Sequence, residues 1–157
     1  EYLLAFGTKC DEGTVPQFCS NPAVNALLVG YQKRCRDERI EFSAVVDLVE
    51  NPAMDNFELC TLFGNLLENA WEACKKAPEA QRSIILKSVP HGSQLLISVK
   101  NTFDGTVVEE EGHIVSRKGA SGGLGIKSIR AIAGRHQGEY VPKWEGHTFT
   151  ANVMIRL

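Results

Sequence analysis

No stretch of the sequence approaches the roughly 18 to 20 consecutive apolar residues that a membrane-spanning helix needs, and no signal peptide opens it. The sequence also has no strong excess of positive or negative charge, since 17 basic and 19 acidic residues leave a formal net charge of −2. Neither nucleic acid nor an anionic membrane is therefore expected as a partner. We predict a cytoplasmic chain. The first residue is Glu1 and not methionine, which suggests a piece cut from a longer protein.

The cysteines form no CxxC motif and are odd in number, at positions 10, 19, 35, 60 and 74. Most of them occupy positions where an apolar side chain belongs, so a structural disulfide is not expected. The pattern is typical of free thiols in a reducing compartment.

The chain does contain a regular succession of helix and strand signals, with 43% hydrophobic and 23% charged residues, which suits one globular domain. An Asn-Pro pair is a good helix start, because the asparagine caps the helix and the proline fits its first turn. The sequence predicts helices from Asn21 and Pro22 to about residue 35, from Asn51 and Pro52 to shortly before Pro78, and over residues 124–136. It predicts strands near 40–48, 82–89, 94–101, 139–144 and 147–156.

Residues 104–123 contain glycines and a glutamate triplet but no sustained periodicity. A structureless loop longer than about 12 to 15 residues inside a compact domain is usually functional. We predict that this segment is a lid over a binding site.

The second predicted helix carries a polar stripe. Asn65, Glu68, Asn69 and Glu72 follow the spacing i, i+3, i+4 and i+7, so they share one face of the helix. A solvated outer face is the simpler explanation, since every amphipathic helix has one. It does not explain two asparagines in mid-helix, because the asparagine amide competes with the backbone there. Amide oxygens suit Mg²⁺, which takes further ligands from nucleotide phosphates, and the stripe therefore predicts a magnesium and phosphate site.

Asn101 ends a predicted strand in which Leu95, Ile97 and Val99 mark the buried face, and it falls on that same face. A buried amide without a partner costs on the order of 1 to 3 kcal/mol. A ligand that offers both a donor and an acceptor, such as the edge of adenine, would satisfy it. The alternative is that Asn101 only caps the turn into the loop, and Gly105 fits either interpretation.

Glycines at positions 119, 122, 123 and 125 precede the third helix in the segment "SRKGASGGLGIKS". Glycine lets backbone amides approach an anion, and a helix start adds its positive dipole end, so phosphate binding is expected, with Arg117 and Lys118 as nearby charges. The alternative is a flexible loop that uses glycines for turning. The segment is neither a P-loop nor a dinucleotide fingerprint, because no GK[ST] follows a GxxxxG and Ser128 stands in place of the third glycine.

In this order the motifs resemble the ATP-binding domain of the GHKL superfamily, which includes gyrase, heat-shock chaperone ATPases, mismatch-repair proteins and histidine kinases. "GNLLENAWEA" resembles its N box, "NTFDG" its first glycine box in an asparagine form, and "SRKGASGGLGIKSI" its lid end and second glycine box. The likeness extends over about residues 20–157 and is nearest to sensor histidine kinases of the Agr quorum-sensing and citrate or fumarate sensor type. "NPAVNALLVGYQKRCRDERIEF" is similar to their second dimerisation helix and the start of their catalytic domain.

The resemblance implies an α/β fold, a two-layer sandwich in which helices cover one face of a mixed β-sheet (the Bergerat ATP-binding fold). It divides the chain into residues 1–38, a remnant of the dimerisation and phosphotransfer helices, and residues 39–157, the catalytic ATP-binding domain. The implied function is transfer of the γ-phosphoryl group of ATP to a histidine upstream of Glu1, and from there to a response regulator. None of the four histidines present lies in the long helix expected of the acceptor. The implied cofactors are ATP and Mg²⁺, and the implied parent is a membrane-anchored homodimer.

Position by position, the resemblance makes Asn69 the Mg²⁺ ligand and places Asn65 beside the phosphates. Asn101 takes the place of the aspartate that accepts the adenine amino group, and Glu68 is a candidate base. The remaining implied nucleotide contacts are Gly105, Lys118, Gly123 and Gly125.

Two departures from the family pattern leave alternatives open. Phe103 replaces the first glycine and Asn101 the aspartate, so a non-catalytic scaffold that keeps the fold for docking or dimerisation is one alternative. A GHKL ATPase is another, although Asn65 occupies the position where those hydrolases carry a water-activating glutamate. Phosphoryl transfer to a histidine needs mainly positioning and charge neutralisation, which these residues can supply.

Overall fold

The computed structural model describes residues 16–48, 54–110, 113–115 and 124–156. Its helices are α1 (Pro22–Asp37), α2 (Asn56–Cys74) and α3 (Leu124–Arg135), and a short 3-10 turn covers Glu79–Gln81. Its strands are β1 (Glu41–Val46), β2 (Ser83–His91), β3 (Gln94–Thr102), β4 (Val108–Glu110), β5 (His113–Val115), β6 (Glu139–Glu145) and β7 (Thr148–Arg156). None of the helices in these ranges is both long and apolar enough to cross a membrane.

The start of α1 is confirmed. Oδ1 of Asn21 accepts hydrogen bonds from the backbone N–H groups of Ala23 and Val24, which satisfies two donors at the helix start. The inward side chains of α1 join the same core as α2 and the sheet, and they are Val24, Leu28, Tyr31 and Cys35. The domain boundary between residues 38 and 39 stays a prediction.

The predicted start of α2 is wrong. Oδ1 of Asp55 accepts a hydrogen bond of 2.8 Å from the backbone N–H of Glu58, so α2 begins at Asn56 and not at the earlier Asn-Pro pair. An acidic cap followed three residues later by glutamate, directly before the apolar run, is itself a start signal, and it overrides the pair at 51 and 52. Residues 49–53 lie outside the described part of the chain.

Five strands form one mixed sheet in the order β1-β2-β3-β7-β6. β1 and β2 run parallel and the other neighbours are antiparallel. The inward side chains of the three central strands pack in one core with the helices, which confirms the predicted mixed sheet covered on one face. These buried residues are Ile84, Leu86, Leu95, Ile97, Val99, Ala151, Val153 and Ile155.

The segment predicted as a structureless lid contains β4 and β5, which pair as a separate two-stranded antiparallel sheet. The expected lack of secondary structure is wrong for these residues, because strands of three residues are too short to show a period. The lid role of the segment stays a prediction. Residues 111–112 and 116–123 lie outside the described part.

The described cysteines are free thiols at positions 19, 35, 60 and 74. Burial raises the pKa of Cys35 to about 12, with a smaller effect of the neighbouring Cys74. These thiols pack as small apolar side chains.

Candidate functional site

The amide side chains of Asn65 and Asn69 meet the start of α3. A Cβ atom added to Gly125 would lie 3.4 Å from Oδ1 of Asn69 and 3.7 Å from Oδ1 of Asn65. Both asparagines are half-buried. Because Gly125 has no side chain, there is a gap beside the two amide oxygens. Three of the predicted site residues, Asn65, Asn69 and Gly125, therefore lie next to one another.

The chemistry of this contact suits a metal-bound anion. Amide oxygens are hard neutral ligands of the kind that Mg²⁺ accepts. The first N–H groups of an α-helix have no partner within the helix and carry a positive partial charge, which favours an anion at the start of α3. The residues present therefore fit a magnesium ion together with phosphate groups.

Glu68 belongs to a different contact, the one between α1 and α2. Its Oε1 accepts hydrogen bonds from the Tyr31 hydroxyl at 2.7 Å and from Nη1 of Arg34 at 2.9 Å. Its Oε2 accepts from Nη2 of Arg34 at 3.3 Å. Burial and the hydrogen bond to Glu68 raise the pKa of Tyr31 far above its usual value, so the hydroxyl remains a donor.

The role of Glu68 as a candidate base stays a prediction, and in the structure α1 contacts its side of the polar stripe. The polar stripe is about 100° wide, and α1 packs against one edge of it. A Cβ atom on Gly64 would lie only 3.9 Å from Leu27 of α1, so the two helices are close at this edge. About two turns further along both helices, the Arg34 guanidinium lies 4.0 Å above the Trp71 ring. These described contacts of Glu68 stabilise the packing of α1 on α2.

Asn101 lies at the end of β3, only 4% exposed and on the face that the helices cover. Its Nδ2 donates a hydrogen bond of 2.9 Å to the Thr102 carbonyl, so the amide also has the local role that the alternative interpretation expected. Within the described residues Oδ1 makes no hydrogen bond. The amide is thus held with its acceptor oxygen available, as a purine amino group requires.

The C-terminal half of α2 approaches the same end of β3. Sγ of Cys74 lies 3.3 Å from Oγ1 of Thr102, next to Asn101. The helix that carries Asn69 therefore runs toward the strand end that carries Asn101.

An aromatic cluster borders Asn101, and we name it the aromatic wall. Phe103 is 4% exposed and packs edge-on against Phe149, with ring centroids 5.9 Å apart. Phe149 is the strand partner of Asn101 and stacks on Trp144 at 6.2 Å. Asn101 therefore has aromatic neighbours at the end of β3.

The turn after β3 is held by the turn between β6 and β7. Gly105 has φ +89°, a backbone conformation that favours glycine. The Phe103 N–H donates to the His147 carbonyl at 2.9 Å, and Nδ1 of His147 lies 3.2 Å from the Phe103 carbonyl oxygen. Sequence reasoning missed His147, because no local pattern signals a contact between residues 44 positions apart.

Two predicted site residues, Lys118 and Gly123, lie outside the described residues. The phosphate roles assigned to them stay predictions.

A sequence profile described as the GHKL domain matches residues 54–156, which include α2, β3 and α3. The match covers more than half of the chain. This chain belongs to the GHKL domain family. A search of curated proteins found no match.

Solved histidine kinase structures share the fold of this GHKL domain. The nucleotide-free catalytic domain of histidine kinase ThkA is 22% identical with a TM-score of 0.64, over 85% of this chain and 89% of that one. Acinetobacter baumannii histidine kinase AdeS is 14% identical with a TM-score of 0.63, over 98% of this chain and 74% of that one. Full-length ShkA, solved in complex with AMPPNP, is 16% identical with a TM-score of 0.63, over 85% of this chain and 29% of that one.

Proposed function

We propose that this GHKL domain is the ATP-binding catalytic domain of a sensor histidine kinase. The observation that carries the proposal is the contact of Asn65 and Asn69 with Gly125, where two amide oxygens and a helix start surround a gap. Family membership and the fold shared with histidine kinase catalytic domains support it. A related fold in ShkA was solved with the ATP analogue AMPPNP, which supports a nucleotide as ligand here.

In this proposal each described residue has a distinct task. Asn69 provides the protein ligand to Mg²⁺, and Asn65 lies beside the phosphates. Gly125 keeps the space between them open, and Gly105 gives the turn after β3 its positive φ. Oδ1 of Asn101 accepts a hydrogen bond from the adenine amino group.

Two lid residues complete the proposed phosphate site, Lys118 by its charge and Gly123 by its backbone. When bound, Mg²⁺ neutralises charge on the phosphates of ATP. The residues of the chain then hold the nucleotide in place for transfer, which is mainly a matter of positioning. Glu68 stays the candidate base in this proposal, and Tyr31 and Arg34 of α1 hydrogen-bond its carboxylate.

The proposed acceptor is a histidine on the dimerisation domain of the same protein, and a response regulator then receives the phosphoryl group. We place this domain on the cytoplasmic side of a membrane-anchored homodimer of the Agr or citrate sensor type. Residues 1–38 are in this proposal the remnant of the dimerisation and phosphotransfer helices, and their α1 packs on the catalytic domain of residues 39–157.

A titration calorimetry experiment with a non-hydrolysable ATP analogue tests the proposal. Wild-type protein should bind the analogue with Mg²⁺ and more weakly with EDTA. Asn69→Ala should weaken binding roughly tenfold or more, as loss of a metal-site residue does. Asn152→Ala is the matched control, because Asn152 lies on β7 and its side chain hydrogen-bonds only to the Val141 carbonyl among the described residues. Equal affinities of wild type and Asn69→Ala, or no binding at millimolar analogue, would contradict the proposal.

One observation favours a non-catalytic scaffold instead. Phe103 fills the position of the family's first glycine with a buried ring that packs on Phe149. A scaffold would gain stability from this aromatic wall without any need for nucleotide. Limited proteolysis separates the two functions, because a nucleotide-binding lid should become protected over residues 104–123 on addition of ATP and Mg²⁺, and a scaffold should not change.

A further inference from the structure

We propose that His147 is a positioning residue for the purine end of the site, and this inference rests on the proposed function. His147 does not touch the place assigned to the nucleotide. It acts on the turn that follows β3, which comprises residues 103–106 and which we name the purine turn.

Two hydrogen bonds join His147 to the purine turn. The Phe103 N–H donates to the His147 carbonyl at 2.9 Å. In the other direction, Nδ1 of His147 lies 3.2 Å from the Phe103 carbonyl oxygen. A carbonyl oxygen can only accept, so Nδ1 carries the proton. The last backbone pair of β3 and β7 is Thr102 with Thr148, and the imidazole therefore extends the strand pairing by one residue.

The imidazole ring also packs against Gly105. A Cβ atom on Gly105 would lie 3.2 Å from Cε1 and 3.3 Å from Nδ1 of His147. The ring thus occupies the space next to Gly105, whose φ of +89° already favours glycine. Oδ1 of Asp104 accepts a hydrogen bond of 2.9 Å from the Thr106 N–H, which closes the turn from within.

These contacts reach the purine site through the backbone. Asn101 lies two residues before Phe103, the first residue of the purine turn, and its Nδ2 donates to the carbonyl of the intervening Thr102. Fixing Phe103 on both its N–H and its carbonyl keeps that segment in one conformation before a ligand arrives. A binding site that is already ordered loses less conformational entropy when it binds. His147 should therefore strengthen nucleotide binding without contacting the nucleotide.

Three variants test the inference in titrations with the ATP analogue and Mg²⁺. His147→Ala removes the donor and should weaken binding about three- to tenfold, the range of one net hydrogen bond. His147→Asn places an amide donor close to the position of Nδ1 and should recover affinity to within about twofold of wild type. His91→Ala is the matched control, because His91 is exposed at the opposite end of the sheet, next to the turn between β2 and β3.

Hydrogen exchange of the ligand-free protein gives a readout that does not depend on nucleotide. Amides of the purine turn should exchange faster in His147→Ala than in wild type, His147→Asn or His91→Ala. In the full-length kinase, His147→Ala should raise KM for ATP and leave kcat unchanged, whereas general destabilisation would lower the active fraction and hence the apparent kcat.

The outcomes are distinguishable. Wild-type protein that does not bind the analogue overturns the proposed function and the nucleotide role of His147 with it. Wild-type protein that binds, together with a His147→Ala variant of equal affinity, overturns only the role of His147. The same holds if His147→Asn binds as weakly as His147→Ala, because the hydrogen bond would then not be the cause.

Discussion

Oδ1 of Asn69 lies 3.4 Å from the point that a Cβ atom on Gly125 would occupy. This close approach joins the middle of α2 to the first turn of α3. It means that one added methyl group would fill the gap beside the proposed metal ligand.

We therefore expect Gly125→Ala to separate stability from nucleotide affinity. A contact of 3.4 Å is ordinary van der Waals packing, and alanine favours a helix over glycine by up to about 1 kcal/mol, so the fold should be kept or gain stability. Affinity for the ATP analogue should fall, since the methyl group occupies ligand space. Thermal unfolding and calorimetry measure the two effects. Gly134→Ala is the control, because a Cβ there meets nothing within 4 Å. An unchanged affinity of Gly125→Ala would contradict the assignment of this gap.

Gly138→Ala should unfold the domain at much lower denaturant concentration. A Cβ atom at this position would overlap the Met154 carbonyl group of β7, so the backbone would have to move. We expect a loss of roughly 3 kcal/mol or more, in the range of severe overpacking. Urea unfolding gives the value, and Gly30→Ala in α1, with nothing within 4 Å of its Cβ, should lose no stability.

Glu58→Gln should lower stability at neutral pH and change the acid response. Oε2 of Glu58 accepts from Arg135 at 2.8 Å, and Oε1 lies 3.0 Å from Nε2 of His136. The Arg135 hydrogen bond in particular lowers the pKa of Glu58 from its ordinary value of about 4.5. Stability from this carboxylate is therefore present above about pH 4.5 and is lost as the pH falls through the lower folded-state pKa.

The difference in unfolding free energy between wild type and Glu58→Gln should accordingly be largest at neutral pH and shrink below about pH 4.5. Denaturant titrations at several pH values measure it. Glu79→Gln removes the more exposed ion pair with Arg39 and should change little at any pH. A difference that does not vary with pH would rule out this ion pair as the source.

Asn101→Asp should destabilise the domain even though the family carries aspartate there. A carboxylate oxygen in place of Nδ2 would face the Thr102 carbonyl at about 2.9 Å in a site only 4% exposed. We expect a loss of about 1 to 3 kcal/mol. Burial without a partner raises the pKa of a carboxyl group, so the loss should be smaller in acid, where the protonated acid can donate. Thermal unfolding at pH 7 and pH 4 compares the two states, and equal losses would contradict this view.

Glu68→Gln tests whether Glu68 contributes to nucleotide binding. Its pair with Arg34 is partly exposed, with side chains 32% and 40% accessible, so solvent screens it and the loss should be about 1 kcal/mol or less. Affinity for the ATP analogue should stay within about twofold of wild type, whereas Asn65→Ala should reduce it clearly. A large loss of nucleotide affinity in Glu68→Gln would contradict this expectation and show that Glu68 contributes to nucleotide binding.

Local signals predicted most of the fold. The cap of α1 lies at Asn21 as predicted, and the third helix is present with buried residues at helical spacing, namely Ile126, Ile129, Ile132 and Ala133. The alternation in β3 also placed Asn101 on the buried face. These features depend on residues within one or two turns of each other, so sequence spacing captures them. The prediction of where α2 starts was wrong because the sequence offers two start signals close together, the Asn-Pro pair at 51 and 52 and the cap at Asp55. The helix begins after Asp55.

The sequence by itself determined most of the helices and strands of the main fold and which face of each is apolar, because caps and periodicity act over a few neighbouring residues. It also determined that amide side chains, rather than carboxylates, occupy the motif positions of the site. Only the tertiary structure decided which element each face meets. Periodicity assigns Glu68 and Asn69 to one broad stripe. In the folded protein Glu68 contacts Arg34 of α1, and Asn69 lies against Gly125 at the start of α3. The contact of His147 with Phe103 likewise exists only because β3 and β7 are neighbours in the sheet.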